Sequence, residues 1–204
     1  PARMRETFYH EVLELQDTFS ALEDCRIPTI ASIQGACVGG AIDMAAACDM
    51  RYCSEDAFFK IAEVDIGIAA DVGTLQRLPS LIPLAVVREL AYTGRRFEAE
   101  EAKELGLVNK VFESRDDLKD GVLKVAKEIA SKSPLVTRVI KKQINYSRDH
   151  SVKDALDYHA IWNSSLISGQ DMEEAMKAYM SKTQGSYDDL EPKKSFWEKD
   201  EKLV

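Results

Sequence analysis

The chain is poor in cysteine, histidine and net positive charge. Its four cysteines, Cys25, Cys37, Cys48 and Cys53, show no paired CxxC spacing, which argues against a structural zinc site. Cys37 and Cys48 stand among small apolar residues and are read as reduced core thiols, not as parts of a disulfide scaffold. The three histidines, His10, His150 and His159, are scattered, with no nucleophile or carboxylate at a telling distance. His159 shares a helical face with Leu156, Trp162 and Leu166 and reads as a packed side chain. There is no Gly-x-Ser-x-Gly turn, no phosphate loop, no GxGxxG and no cluster of metal-ligand type, so hydrolase, nucleotide and metal readings lose their usual signals. A net charge of -8 argues against broad nucleic-acid binding, and Lys141-Lys142, Arg148 and Arg95-Arg96 are read first as solvated faces. No run is apolar and long enough for a helical membrane span. The start carries Glu6, Glu11 and Glu14, unlike a basic presequence, and begins at Pro1, so an amino-terminal portion is expected to be missing.

What is present is an ordinary globular balance over 204 residues, 45% hydrophobic and 30% charged, enough for one core with appendages. Phe8, Val12, Leu15, Phe19 and Leu22 recur at helical spacing and predict a helix over 4–24. Residues 29–33 read as a short strand, 35–40 as a small-residue turn, 41–47 as a buried helix, and 50–53 and 57–61 as two more strands. Strand, glycine turn, helix, strand is a parallel α/β signature. Helical pieces are expected near 73–79, 83–93 and 98–105, then an edge strand over 107–112. Beyond residue 114 come three or four helices. Ser114 with Asp117 and Ser151 with Asp154 resemble capping boxes, and Ser133-Pro134 places proline at a first helical position. The residues from Thr183 onward read as a loose polar tail, and no internal repeat is visible.

Three acids sit in small or apolar surroundings within one short stretch: Asp43, Glu63 and Asp71. Soluble chains keep most acids on wet faces, because burying an unpaired charge is expensive. Each has a plain alternative. Asp43 lies one turn into its helix, where the macrodipole favours an acid. Glu63 follows a strand and reads as a strand-end acid like Asp65. Asp71 precedes Val72-Gly73-Thr74 and reads as the N-cap of the next helix. Taken together with the bare backbone of Gly39-Gly40 at a helix start, they point instead to proton transfer beside a polarised carbonyl. A carboxylate base, amide donors on the developing oxyanion and a second acid further along the pocket are what that chemistry needs.

The run from Ile33 through Gly39-Gly40 and Asp43 to Arg51 resembles the signature of the crotonase (enoyl-CoA hydratase/isomerase) superfamily. So do Glu63-Val64-Asp65-Ile66-Gly67, residues 73–79, Thr93-Gly94-Arg95-Arg96 and Gly106-Leu107-Val108. More narrowly, residues 56–59, Ala69-Ala70-Asp71-Val72-Gly73 and 146–151 are similar to its Δ3,5-Δ2,4-dienoyl-CoA isomerase branch, and the likeness spans roughly 4–182. It implies an α/β fold, a ββα spiral core over 1–112 that is incomplete at its amino end. A helical trimerisation region over 113–182 and a polar tail over 183–204 follow. The resemblance also implies an acyl-CoA thioester substrate, a homotrimer or homohexamer, and no cofactor or metal beyond the coenzyme A of the substrate. Gly40 matches a backbone donor of the oxyanion hole, Glu63 and Asp71 match the two proton-transfer acids, and Asp43 matches a third active-site acid. Hydratases of the superfamily carry glycine where Asp71 stands and glutamate where Asp43 stands, which disfavours water addition here. Enoyl-CoA hydratase, Δ3,Δ2-enoyl-CoA isomerase and a non-catalytic assembly partner are the alternatives. Two departures stand out: Ala41 replaces a common third glycine, and the other oxyanion donor belongs to an upstream region. The family implies mitochondria or peroxisomes, and Glu201-Lys202-Leu203-Val204, lacking Ser-Lys-Leu, tilts the expectation to mitochondria.

Overall fold

The structure, a computed structural model, describes residues 2–166 and 169–193. The helix α1 (Ala2–Glu23) leads into β1 (Ile30–Ile33), β2 (Ala36–Val38), α2 (Gly40–Ala47), β3 (Met50–Ser54) and β4 (Phe58–Lys60). A 3₁₀ turn (Glu63–Ile66), α3 (Thr74–Arg77), a second 3₁₀ turn (Leu78–Ser80) and α4 (Leu84–Thr93) follow. The first unit is completed by β5 (Phe97–Glu98), α5 (Ala99–Glu104), β6 (Lys110–Phe112) and α6 (Arg115–Ala130). Contacts divide the chain into two compact units, meeting between Ile129 and Ala130. The helix α6 therefore belongs almost wholly to the first unit, although the sequence reading set its boundary after residue 112.

Two three-stranded sheets form the first unit, ordered β1-β3-β6 and β2-β4-β5. Ile30 pairs with Met50 and Tyr52 with Lys110, all in parallel, so β6 is an edge strand as its position predicts. In the second sheet Cys37 pairs with Phe59 in parallel, while Phe59 pairs with Phe97 antiparallel. Each pass of the chain thus gives one strand to each sheet, which is the ββα spiral the resemblance implies. Two short strands escaped the sequence reading. Residues 36–38 look like part of a glycine turn, because Ala-Cys-Val is too short to show an alternating pattern. Their strand exists because β4 lies alongside to pair with it. The same holds for Phe97-Glu98.

Packing explains the small residues of α2. Ile42, Ala45, Ala46 and Ala47 are buried, and alanines let a helix lie close on a sheet. Phe59 and Phe97 stack at 5.3 Å between ring centres within the core, each contributing on the order of 2–3 kcal/mol by burial. Arg51 is also buried, and its guanidinium donates to the carbonyls of Leu107 (2.7 Å), Cys48 (2.7 Å) and Ala45 (3.3 Å). Burial pulls its pKa below the ordinary guanidinium value. These bonds tie the end of α2 to the turn before β6. Arg51→Met, which keeps the volume and removes the donors, is expected to cost about 3 kcal/mol, read as a lower urea midpoint at constant m.

The helix expected over 4–24 is observed as α1. None of its residues is buried; Phe8 is 63% exposed and Leu15 54% exposed. Helical spacing located the helix, and Val12, Phe19 and Leu22 of its apolar stripe are half-buried. Its later turns pack on α2 and on the segment around α3, as described below.

The second unit holds α7 (Pro134–Asp149), α8 (Val152–Leu166) and α9 (Gln170–Ser181). Its start signals work as the sequence indicates: Ser133 Oγ accepts the Val136 N–H at 3.1 Å, and Ser151 Oγ accepts the Asp154 N–H at 3.2 Å. Ser114 does the same for Asp117 in α6, at 3.1 Å. Tyr146 of α7 stacks on Tyr158 of α8 at 4.1 Å, and Ser133 also donates to Asp171 of α9. His159 is half-buried on α8. Residues 184–193 have no regular secondary structure; the remainder of the expected tail, 194–204, lies outside the described residues. No described helix is long and apolar enough to cross a membrane.

Candidate active site

The helix α2 begins at Gly40, and its first amides have no intrahelical acceptor. Gly39 precedes it at φ +55°, a conformation that L side chains rarely adopt, and its amide donates to the Lys60 carbonyl at 3.0 Å. A Cβ built on Gly39 would stand 3.1 Å from Glu63 Oε1. Bare backbone at this point lets the Glu63 carboxyl close on the start of α2, so the Gly-Gly pair and the acid 23 positions later form one locus.

Glu63 opens the 3₁₀ turn after β4 instead of ending the strand. Its neighbour Asp65 is paired with Lys60 at 2.6 Å on the surface. Glu63 differs: the side chain is half-buried, and Oε2 is buried with no hydrogen-bond partner among the described residues. A carboxylate with an unsatisfied buried oxygen costs folding free energy, and such groups concentrate at functional sites.

Asp43 is completely buried on the first turn of α2. Its Oδ1 accepts the Thr74 N–H at 2.5 Å, so it caps the start of α3, and its Oδ2 is buried without a partner among the described residues. The sequence reading of an acid satisfied by its own helix dipole is thus incomplete, because the side chain also serves the next helix. Asp71, in turn, is not the N-cap of α3. That position is Gly73, with no side-chain capping bond, and Asp71 is exposed. Its carboxylate makes no hydrogen bond among the described residues, while its backbone carbonyl accepts Gln16 Nε2 at 2.6 Å. Gly73, at φ +135°, gives way to Arg77: a Cβ there would fall 1.8 Å from Arg77 Nη1.

Gly40 and Glu63 are therefore brought together at the start of α2, and Asp43 reaches the residue three beyond Asp71. Sequence reading missed Gln16, Thr74 and Arg77. The available signal was the polar set Gln16, Ser20 and Glu23, at spacing four and three on α1 beside Phe19 of the apolar stripe, which the apolar count alone passes over. Phe19 Cζ lies 3.8 Å from a Cβ built on Gly40, so this face of α1 borders the same locus.

Thiol chemistry is disfavoured here. All four cysteines are free; burial, with Cys53 and Asp43 nearby, pushes the Cys37 thiol up to about 12, and burial pushes Cys53 up to about 11. Both stay protonated near neutral pH, which makes them poor nucleophiles. Among the described residues, no group of three or more His, Cys, Asp or Glu side chains is placed to hold a metal ion.

Residues 3–190 match the family model described as Enoyl-CoA hydratase/isomerase. The chain is 50% identical over 180 residues to the peroxisomal Delta(3,5)-Delta(2,4)-dienoyl-CoA isomerase of Arabidopsis thaliana, covering 88% of this chain and 65% of that protein. It is 47% identical over 168 residues to the mitochondrial Delta(3,5)-Delta(2,4)-dienoyl-CoA isomerase of Homo sapiens, covering 82% of this chain and 51% of that protein. Among solved structures, an enoyl-CoA hydratase from Bacillus anthracis aligns with a TM-score of 0.84 at 32% identity, covering 89% of this chain and 70% of that one. The chain spans about half to two thirds of the length of these two curated relatives.

Proposed function

The chain belongs to the enoyl-CoA hydratase/isomerase family, and on that footing we propose that it converts a 3,5-dienoyl-CoA to the conjugated 2,4-dienoyl-CoA. Glu63 removes a proton from C2, next to the thioester carbonyl. The electron pair spreads onto the carbonyl oxygen, which the Gly40 N–H and the positive end of α2 stabilise, and along the two double bonds to C6. Asp71 delivers a proton at C6, leaving double bonds at C2 and C4. Glu63 ends protonated and Asp71 ionised, and proton exchange with water restores both. Asp43 holds the start of α3, the helix that follows the Asp71 loop. The reaction needs no cofactor besides the coenzyme A carried by the substrate.

The observation that carries this reading is the Glu63 carboxyl packed against the bare backbone at Gly39, beside the first free amides of α2. Asp71 favours isomerisation over hydration, as does 50% identity to a dienoyl-CoA isomerase against 32% to a hydratase. The compartments in the relatives' names are mitochondria and peroxisomes, and we favour the mitochondrial matrix. For the helical part we propose self-association into a trimer or hexamer. The exposed Ile140, Ile144, Leu156 and Ile161 of α7 and α8 support an apolar contact with other subunits.

The test follows 3,5-octadienoyl-CoA by ultraviolet absorbance, with the 204-residue chain and with the protein from its full reading frame, alongside light scattering. Formation of the conjugated product is the expected result. Water addition without bond migration would support the hydratase alternative. A folded oligomer that does neither would support the assembly-partner alternative.

A further inference from the structure

The loop that carries Asp71 is held at successive backbone groups. Asp71 O accepts Gln16 Nε2 at 2.6 Å, Val72 O accepts Arg77 Nη1 at 3.4 Å, and Gly73 O accepts the amide of Arg77 at 2.9 Å. The Thr74 N–H goes to Asp43. Arg77 is itself gripped from α1, donating through Nε to Glu23 Oε2 at 2.8 Å and through Nη2 to Ser20 Oγ at 3.0 Å. Gln16, Ser20 and Glu23 lie on one face of α1, at spacing four and three. The Arg77–Glu23 pair is mostly buried, with side chains 14% and 15% exposed.

What these contacts leave alone is as informative. None of them involves the Asp71 carboxylate. A Gln16 amide bound to that carboxylate would stabilise its ionised form and compete with proton delivery. Bound to the carbonyl instead, it places the acid without engaging its carboxylate. We infer that Gln16 is a positioning residue, supported by the Glu23–Arg77 pair, through which α1 fixes where the second proton-transfer acid stands. The inference rests on the proposed role of Asp71.

The experiment compares Gln16→Met, which has similar reach and no amide donor, with Gln16→Lys, which restores an N–H donor. Two reactions are read in deuterated water: wash-in at C2, which needs Glu63 and the oxyanion donors, and conversion to the 2,4-product, which needs Asp71 as well. In Gln16→Met, C2 exchange and KM are expected within about twofold of the parent, while kcat for conversion falls roughly 10- to 100-fold, as for a displaced catalytic group. Gln16→Lys is expected to recover most of that loss. Faster amide hydrogen exchange at Val72, Gly73 and Thr74 in Gln16→Met accompanies it. Equal losses in both reactions, or parental conversion in Gln16→Met, overturn the inference. A parent protein that exchanges C2 and never isomerises overturns the functional reading, and with it the role of Gln16. The amide exchange then still reports whether α1 holds the loop.

Discussion

Glu63→Gln is expected to lower conversion of a 3,5-dienoyl-CoA by roughly 10²–10⁴-fold, the contribution of a well-placed general base. This corresponds to about 3–5 kcal/mol of transition-state stabilisation. The substitution keeps the shape of the side chain beside Gly39 and removes its charge and basicity. C2 exchange should fall by the same factor, because the first proton transfer is lost. Thioester binding should change by no more than about threefold. Folding supplies an internal control. Oε2 of Glu63 is buried without a hydrogen-bond partner among the described residues, so a neutral amide there is not expected to lower the thermal midpoint. A Glu63→Gln protein that isomerises at the parental rate would falsify the assignment of the base.

Asp71→Asn is expected to lose conversion to a similar extent while C2 exchange persists near the parental rate. The two acids are then separated by the step each serves: one removes a proton beside the thioester, the other returns one four carbons away. Asp71 is exposed and its carboxylate has no partner to lose among the described residues, so stability should stay within about 0.5 kcal/mol. The comparison also divides the isomerase from a hydratase or a Δ3,Δ2-enoyl isomerase. In either of those, the site needs no acid at Asp71, and the substitution leaves turnover nearly intact.

Much of the local structure was legible because it depends on short-range rules. Ser133-Pro134 marks the start of α7, and the Ser114–Asp117 and Ser151–Asp154 pairs start their helices, each within three residues of chain. The core strands β1, β3 and β4 carried enough apolar residues to be seen. The strands at 36–38 and 97–98 did not, since two or three residues hold no periodicity and exist only through a partner elsewhere in the chain.

The sequence by itself determined the candidate acids, the Gly-Gly helix start and the family likeness, because residue type and order are all these require. Only the tertiary structure decided what each acid does in the fold. Asp43 could be read as satisfied by its own helix and Asp65 as a strand-end acid, yet Asp43 caps α3 across 31 positions and Asp65 pairs with Lys60. Glu63 stands against Gly39, and Asp71 is placed by a helix whose Gln16 lies 55 positions earlier. Such relations come from long-range packing, where small residues permit close approach and buried polar groups must find partners. No local pattern along the chain encodes which partner will be near.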